Sequence, residues 1–305
     1  MATTQPSVRP VAAAKSTAST KAGSQRTNRL WQQIALYTFA ILTALAFSLP
    51  FFWTVSSSLK TAAEIRQIPP TFWPNEYRWA NYPDVFRLAP FALFIWNTVI
   101  ITALAMIGQI ISAAAVAFGF TRFRFPGREM LFFLVLSTMM LPWQVTIVPQ
   151  FLLFRYLNWL NTFMPLIVPS FFGGGAFFIF LLRQFFMTIP RDLDEAAKLD
   201  GASSVRIFWS IILPLSGPAI ATVAIFSFLQ HWNEFIGPLI FLNTEDKYTL
   251  SIGLRYFLSN PFESDEPREA ILMAASLIVA APSLILFFVA QKYFVRGIVT
   301  TGLKG

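Results

Sequence analysis

Glu195-Ala-Ala-Lys-Leu-Asp-Gly-Ala-Ser-Ser-Val-Arg-Ile-Phe-Trp-Ser-Ile-Ile-Leu-Pro214 is a mixed polar and apolar run set between two long apolar stretches. From Asp192 onward, Asp194, Glu195 and Asp200 alternate with Ala196, Ala197, Leu199 and Ala202, the pattern of a short helix outside the hydrocarbon. Pro190 precedes a helix N-cap at Asp192. Asp194 and Glu195 then fall in the first turn, where the positive end of the helix dipole favours them. Ala196 and Ala197 leave a face without bulk, open to close approach by another backbone, and Gly201 ends the helix in a conformation closed to most residues. Val205, Phe208 and Trp209 supply an apolar side, and Pro214 stands near the start of the next apolar run, a position proline tolerates. These residues predict a rigid elbow tied to a membrane helix. From them alone, an interfacial amphipathic helix that only decorates a loop remains the alternative.

Working outward, the chain of 305 residues is 55% hydrophobic, 16% aromatic and only 12% charged, too few charges to coat a soluble globule. A spanning helix needs about 20 apolar residues. Charge-poor windows of that length predict an all-α membrane protein of six spans, at about 32–57, 91–120, 130–153, 161–187, 212–241 and 270–291. Arg155 with Asn158, Trp159, Asn161 and Thr162 suits an interfacial turn between the third and fourth. With the N-terminus inside, inner segments carry fourteen Lys and Arg residues, among them Arg122, Arg124, Arg128, Arg191, Lys198 and Arg206, against eight outside. The bias places both termini in the cytoplasm. The net charge of +8 is then explained by topology and anionic headgroups, and nucleic acid is not an expected partner. Residues 1–29 are polar and expected to be disordered, no signal-peptide cleavage site follows them, and 292–305 form a cytoplasmic tail. The absence of cysteine removes disulfides, thiolate-held clusters and Cys catalysis.

Glu195, Ala196 and Ala197, three further residues, Gly201, nine more, Ile211, one more, Leu213 and Pro214 match the loop motif of permease subunits of ATP-binding-cassette (ABC) importers. From about Leu30 to its end the chain resembles the carbohydrate-importing, maltose-type members. Phe120-Thr-Arg-Phe-Arg-Phe-Pro-Gly-Arg128, Trp232-Asn-Glu-Phe-Ile-Gly-Pro238, and Phe294-Val-Arg-Gly297 with Gly302-Leu-Lys-Gly305 also carry the likeness. The long polar N-terminal stretch departs from it. The resemblance implies a type I importer permease fold with a coupling helix between spans four and five, in a loop at 190–214. It implies that Glu195 faces a basic side chain of an ATPase subunit, that Gly201 shapes the turn, and that Ala196, Ala197, Asp200, Leu213 and Pro214 belong to the part that couples force. Gly302, Lys304 and Gly305 would reach the ATPase interface, with a frayed terminus as the alternative. The implied partners are a second permease, two ABC ATPase subunits holding ATP and Mg, and an extracytoplasmic solute-binding protein. The implied cargo is a sugar, oligosaccharide or polyol, with glycerol phosphate as the alternative, across a bacterial-type cytoplasmic membrane.

No Gly-x-x-x-x-Gly-Lys-Ser/Thr loop occurs, so the chain is expected to bind no cofactor itself. Gly173-Gly-Gly175 reads as a break or close helix contact within a span. His231 is the sole histidine and has no ligand set for a metal. Polar groups inside spans mark a path or an interhelical bond. His231 and Glu234, three apart on one helix face with Asn233 adjacent, together with Asn97, Gln109, Gln144 and Gln150, are candidates to line a route for a hydroxyl-rich solute. A proton relay through His231 and Glu234, in an ion-coupled secondary transporter, is the rival class, and a membrane enzyme a third. The aromatic stretch from Phe72 to Pro83 and the acidic one from Glu263 to Glu269 are candidate outer contacts.

Overall fold

The computed structural model describes residues 18–258 and 268–302, with side chains over 31–258 and 268–291. Its helices, in chain order, are α1 (Ala18–Ser58), α2 (Ala62–Ile65), α3 (Asn81–Leu88), α4 (Phe91–Arg122), α5 (Arg128–Ser137), α6 (Trp143–Tyr156), α7 (Met164–Ile167) and α8 (Ala176–Thr188). There follow α9 (Asp192–Leu199), α10 (Ser204–Ile207), α11 (Leu213–Leu215), α12 (Gly217–Trp232), α13 (Ile236–Phe241), α14 (Leu250–Gly253) and α15 (Glu269–Gly302). There is no strand among the described residues. The chain divides into two units, residues 1–54 and 55–305.

The first unit is the greater part of α1. Its apolar side chains are exposed, Phe39 to 73% and Phe47 to 82%, as on a helix meant for lipid. The helix already runs at Ala18, so residues 18–29, expected to be disordered, are helical. Ala, Lys, Gln and Arg there are strong helix formers, and adding turns to an existing helix is easier than nucleating one. Residues 1–17 lie outside the described residues.

The second unit is built around α4, about 48 Å long at 1.5 Å per residue. Its buried stripe is small: Ala105, Gly108, Ala113, Ala114 and Ala117 let α8 and α12 come close, where Leu182, Phe186 and Val223 are almost wholly buried. A second core near its other end gathers Phe91, Phe94, Trp232, Leu250, Phe257, Ala274 and Ala275.

Four helical stretches are long and apolar enough to span a membrane, and up to six if each of two bent pairs counts as one. The continuous helices expected over 130–153 and 212–241 are therefore corrected. The first turns by 97° between Met140 and Trp143, where Pro142 withholds an amide donor. The second turns by 81° around Ser216, just before Pro218, and stops again at Asn233 before α13. The stretch expected at 161–187 is α7 and α8 joined by the glycine run, with φ of +99° at Gly173, +57° at Gly174 and +81° at Gly175. A Cβ on Gly174 would collide with the backbone of Ala113. The last helix passes the expected end at residue 291 and reaches Gly302.

The elbow is held by an ion pair. Arg122 Nε ends α4 2.9 Å from Asp194 Oδ2 in the first turn of α9, with side chains only 6% and 10% exposed. Arg122 Nη2 also donates to Ile189 O (3.2 Å), and Arg191 Nη2 to Thr121 O (2.9 Å). Asp192 is not the N-cap expected of it: Arg191 occupies that position without a side-chain cap bond, and Asp192 is the first helical residue. Proline displaces the helix start by only one residue, so the acidic first turn survives. At the other end Gly201 takes φ +80°, its N–H reaches Lys198 O (3.0 Å), and Ala202 N–H reaches Ala197 O (2.9 Å). These two bonds make a Schellman close, which only a left-handed residue permits.

Gly174→Ala should destabilise the purified protein by roughly 1–3 kcal/mol, the cost of combined overpacking and backbone strain. Gly119→Ala, with open space around it, should be neutral or stabilising, both read from thermal unfolding in detergent. Asp194→Ala strands the Arg122 charge and should cost about 3–5 kcal/mol, whereas Arg122→Met with Asp194→Leu recovers most of it. Equal losses in the single and double variants would show that the pair is not what holds α9.

Candidate functional site

Two regions of the second unit carry the chemistry. The first is the elbow. Ala197 and Asp194 face inward, while Leu193 is 42% exposed, Leu199 90% and Val205 67%. Glu195, Ala196, Asp200 and Gly201 are exposed beside them. The side expected from Val205, Phe208 and Trp209 is corrected. Phe208, Ile207 and Ile212 are buried, but Val205, in the first turn of α10, and Trp209 (52% exposed) point away, and residues 208–212 form one π-helical turn that shifts the face beyond it by a residue. Ser203 caps α10 by accepting from Arg206 N–H (3.3 Å). Leu213 is half-buried and Pro214 exposed in α11. Gly302 closes the last helix, and Lys304 and Gly305 lie outside the described residues.

The second region is a cavity of about 470 Å³ where broken helices meet. Thr98 from α4, Gln150 from α6, Ser170, His231 at the end of α12, Glu234 and Thr249 contribute its polar wall. Thr98 is two turns from the Phe91 end of α4, so the cavity lies in that half of the helix. Its lining carries one carboxylate and neither Lys nor Arg.

His231 and Glu234 do line it together, but not as one helix face. α12 stops at Trp232, and Glu234 Oε1 instead accepts from the N–H of Gly237 (2.9 Å), holding the first turn of α13. His231 Nε2 lies 3.2 Å from Gln109 Oε1, which also accepts from Ser227 Oγ. With Gln109 Oε1 as the acceptor, a neutral His231 ring donates from Nε2 and offers Nδ1 as an acceptor, an assignment made from this contact. Gln109 is thus an interhelical clamp. Gln150 Nε2 donates to Thr146 Oγ1 (3.1 Å) and lines the cavity.

Besides Gln109, three expected path residues fall outside the cavity lining. Asn97 is buried and donates to Asp246 O (2.9 Å) and Tyr248 O (3.0 Å), pinning that segment to α4. Asn233 bonds back to Leu229 O (2.9 Å), and Gln144 is exposed outside the cavity lining.

Thr249 was not singled out by the sequence. It occupies the N-cap position of α14, yet its hydroxyl makes no cap bond. Thr98 Oγ1 takes the N–H of Leu250 instead (2.9 Å), leaving Thr249 Oγ1 buried, without a partner, in the cavity wall. Arg183 was also missed. It is a charge inside α8, and such a charge within an apolar helix is itself the signal; the expected span over 161–187 simply ran through it.

In the stretch between α1 and α4, Glu64 Oε1 accepts from Thr71 Oγ1 (3.0 Å) and Asn75 N–H (2.8 Å), and Asn81 Nδ2 donates to Ser58 O (2.8 Å) and Lys60 O (2.9 Å). This frame leaves Trp73, Tyr77 and Trp79 59–66% exposed. Of the acidic stretch expected beyond it, 263–267 lie outside the described residues. Glu269 opens α15 and accepts from Arg66 Nη2 (2.7 Å).

Residues 109–300 match the family model described as "Binding-protein-dependent transport system inner membrane component". The chain is 34% identical to the probable ABC transporter permease protein YurM of Bacillus subtilis, over 90% of this chain and 89% of that one. It is 30% identical to the sn-glycerol-3-phosphate transport system permease protein UgpE of Yersinia enterocolitica, over 89% and 98%. Among solved structures, a chain of a bacterial ABC transporter involved in the import of the acidic polysaccharide alginate superposes with a TM-score of 0.77 at 25% identity, over 88% of this chain and 98% of that one. The chain belongs to the family of inner-membrane components of binding-protein-dependent transport systems, and is a multi-pass permease subunit of an ABC transporter.

Proposed function

We propose that this permease forms half of the translocation path of an ATP-driven importer for a neutral sugar, oligosaccharide or related polyol. The bent pairs each count as one span, giving six, with both termini and α9 in the cytoplasm. α9 is the coupling helix. It seats in a cleft of an ABC ATPase subunit, and Glu195 meets a basic side chain there. A second permease, two ATPase subunits carrying ATP and Mg, and an extracytoplasmic solute-binding protein complete the complex. The C-terminal Gly302, Lys304 and Gly305 contact the ATPase, and the chain itself binds no cofactor. The observation that carries this reading is α9 itself: Arg122 and Asp194 fasten its inner side to α4 while Leu193, Ala196 and Leu199 are left on the outside. An apolar side chain exposed to 90% on a clamped helix suits a partner's cleft. Force received there passes through α10 and α11 to α12 and through Arg122 to α4, rocking both.

The cavity supports the neutral cargo. Glu234 would repel a phosphate or uronate, and no Lys or Arg among the lining residues offsets it. Polar, uncharged partners such as Thr249, Gln150, Ser170 and His231 Nδ1 suit hydroxyl groups. Glycerol phosphate, the cargo in the name of one relative, fits this wall less well.

Gly201→Val places a β-branched residue at φ +80° and costs about 1–3 kcal/mol of strain at the Schellman close. It should abolish ATP-driven uptake while the solute-binding protein keeps its affinity; normal uptake would refute the elbow assignment. Thr249→Val removes an unpartnered buried hydroxyl, so thermal stability should hold or rise. Uptake at subsaturating solute should nevertheless fall about fivefold, the worth of one lost hydrogen bond. Unchanged uptake would remove Thr249 from the path.

A further inference from the structure

At the end of the second unit that carries α9, two adjoining clefts of about 490 and 180 Å³ share Arg128 and Arg191 as walls. Arg124 also lines the larger, Arg122 and Arg183 the smaller. Five guanidiniums therefore converge, and among the described residues only two carboxylates pair with any of them. Asp194 is taken by Arg122 at 2.9 Å. Glu129, itself 63% exposed, is divided between Arg128 (2.7 Å) and Arg183 (3.1 Å). The recess keeps a surplus of positive charge.

Arg183 sharpens the point. Its side chain is only 10% exposed, its guanidinium carbon lies 4.1 Å from the centre of the Phe132 ring, and its Nε has no hydrogen-bond partner. A buried donor left unmet is costly, and a planar guanidinium is shaped to give two parallel bonds to a phosphoryl group. Beside the clefts the surface is apolar: Met130 is 70% exposed, Phe133 68%, Met187 55% and Leu131 48%. A headgroup recess next to an apolar ridge suits one molecule with an anionic end and a hydrocarbon end.

We propose that this recess binds an anionic phospholipid, its phosphodiester among Arg128, Arg183 and Arg191 and its acyl chains along α5. Basic clefts between membrane helices are suited to such headgroups. The phosphoryl chemistry alone would also admit free phosphate, but the ridge of Met130, Leu131 and Phe133 gives free phosphate nothing to contact. A bound lipid would bridge α5, α8 and the residue that opens α9, so the firmness of the elbow would depend on membrane composition. This assignment stands apart from the cargo and the direction of transport.

The test uses the full-length chain in nanodiscs of equal phosphatidylglycerol and phosphatidylcholine, extracted gently and weighed by native mass spectrometry. The intact chain should retain phosphatidylglycerol in preference. Arg128→Gln and Arg191→Gln should each lower that preference about fivefold, the worth of one basic side chain at an anionic surface. Arg124→Gln, on the exposed rim, should act in the same direction and keeps the test open if a more buried change prevents folding. Glu129→Gln should raise the preference, which a folding defect would not do, and Arg87→Gln, 75% exposed on α3, should leave it unchanged. Equal retention of the two lipids by the intact chain overturns the proposal. So does retention of inorganic phosphate by the lipid-free protein without phosphatidylglycerol enrichment, which assigns the site to a free anion. Loss of ATPase-subunit binding in the arginine variants with lipid preference intact overturns it in favour of a protein contact.

Discussion

The ion pair between Arg122 and Asp194 joins the two parts of the permease that any coupling scheme must connect. Burying two charges is expensive, and their mutual attraction repays that only when the geometry is good and the surroundings cooperate. Here they do. Arg122 sits in the last turn of α4, where the carbonyl end of the helix is negative, and Asp194 in the first turn of α9, where the amide end is positive. Each charge is favoured by its own helix before it meets its partner. Arg122 adds a bond to Ile189 O, and Arg191 one to Thr121 O, so the crossing is stitched on both sides. Because α4 also carries the small-residue stripe against α8 and α12, anything that moves α9 acts on the common axis of the unit.

Breaks in the helices serve a second purpose. A continuous span satisfies all its own backbone groups and presents only side chains to a path, whereas an interrupted one needs polar partners at the gap. Three of the gaps among the described residues find them. Glu234 takes the N–H of Gly237, Thr98 takes the N–H of Leu250, and Ser216 Oγ donates to Ile212 O (2.6 Å). The helix ends at Trp143, Met164, Ile236 and Leu250 collect around one cavity, which is how a mostly apolar chain acquires a polar chamber without lipid-exposed backbone.

What the sequence disclosed and what it withheld separate along a physical line. Local signals were legible. Acidic residues followed by alanine and Gly201 foretold α9 and its left-handed close, and Gly173 to Gly175 foretold a break. Composition foretold an all-helical membrane protein, and the elbow motif its family. Hydropathy could not foresee the bends of 97° and 81°, because Pro142 and Ser216 keep the apolar average while removing or redirecting backbone bonds. Nor could it sort the polar residues within the spans. Asn97 and His231 look alike in a helical window, yet one is consumed by the carbonyls of Asp246 and Tyr248 and the other reaches the cavity. Which fate applies depends on segments about 150 and 120 residues away, and no local pattern encodes that distance. Thr249 was invisible for the same reason, since nothing local shows that its hydroxyl is buried without a partner while Thr98 holds the N–H of Leu250.

The connection from α9 to α12 is stiff in some places and yielding in others, and that distribution bears on how motion would travel. From Asp192 to Leu199 the helix is clamped by its ion pair, and beyond it Ile207, Phe208 and Ile212 are buried in the core shared with α4 and α8. The anchor itself contains the π-helical turn at 208–212, and between it and α12 lies the 81° bend at Ser216, where the ladder of backbone bonds is again irregular. A rigid lever followed by an irregular joint converts a push on α9 into rotation of α12 rather than into compression along it. α12 ends at His231 and Trp232, one a wall of the cavity and the other fixed by its indole N–H to Val279 O of α15 (2.9 Å). Rotation about that fixed point would swing His231 and release or tighten the Gln109 contact. In the proposed cycle, the far end of the lever therefore carries one wall of the cavity.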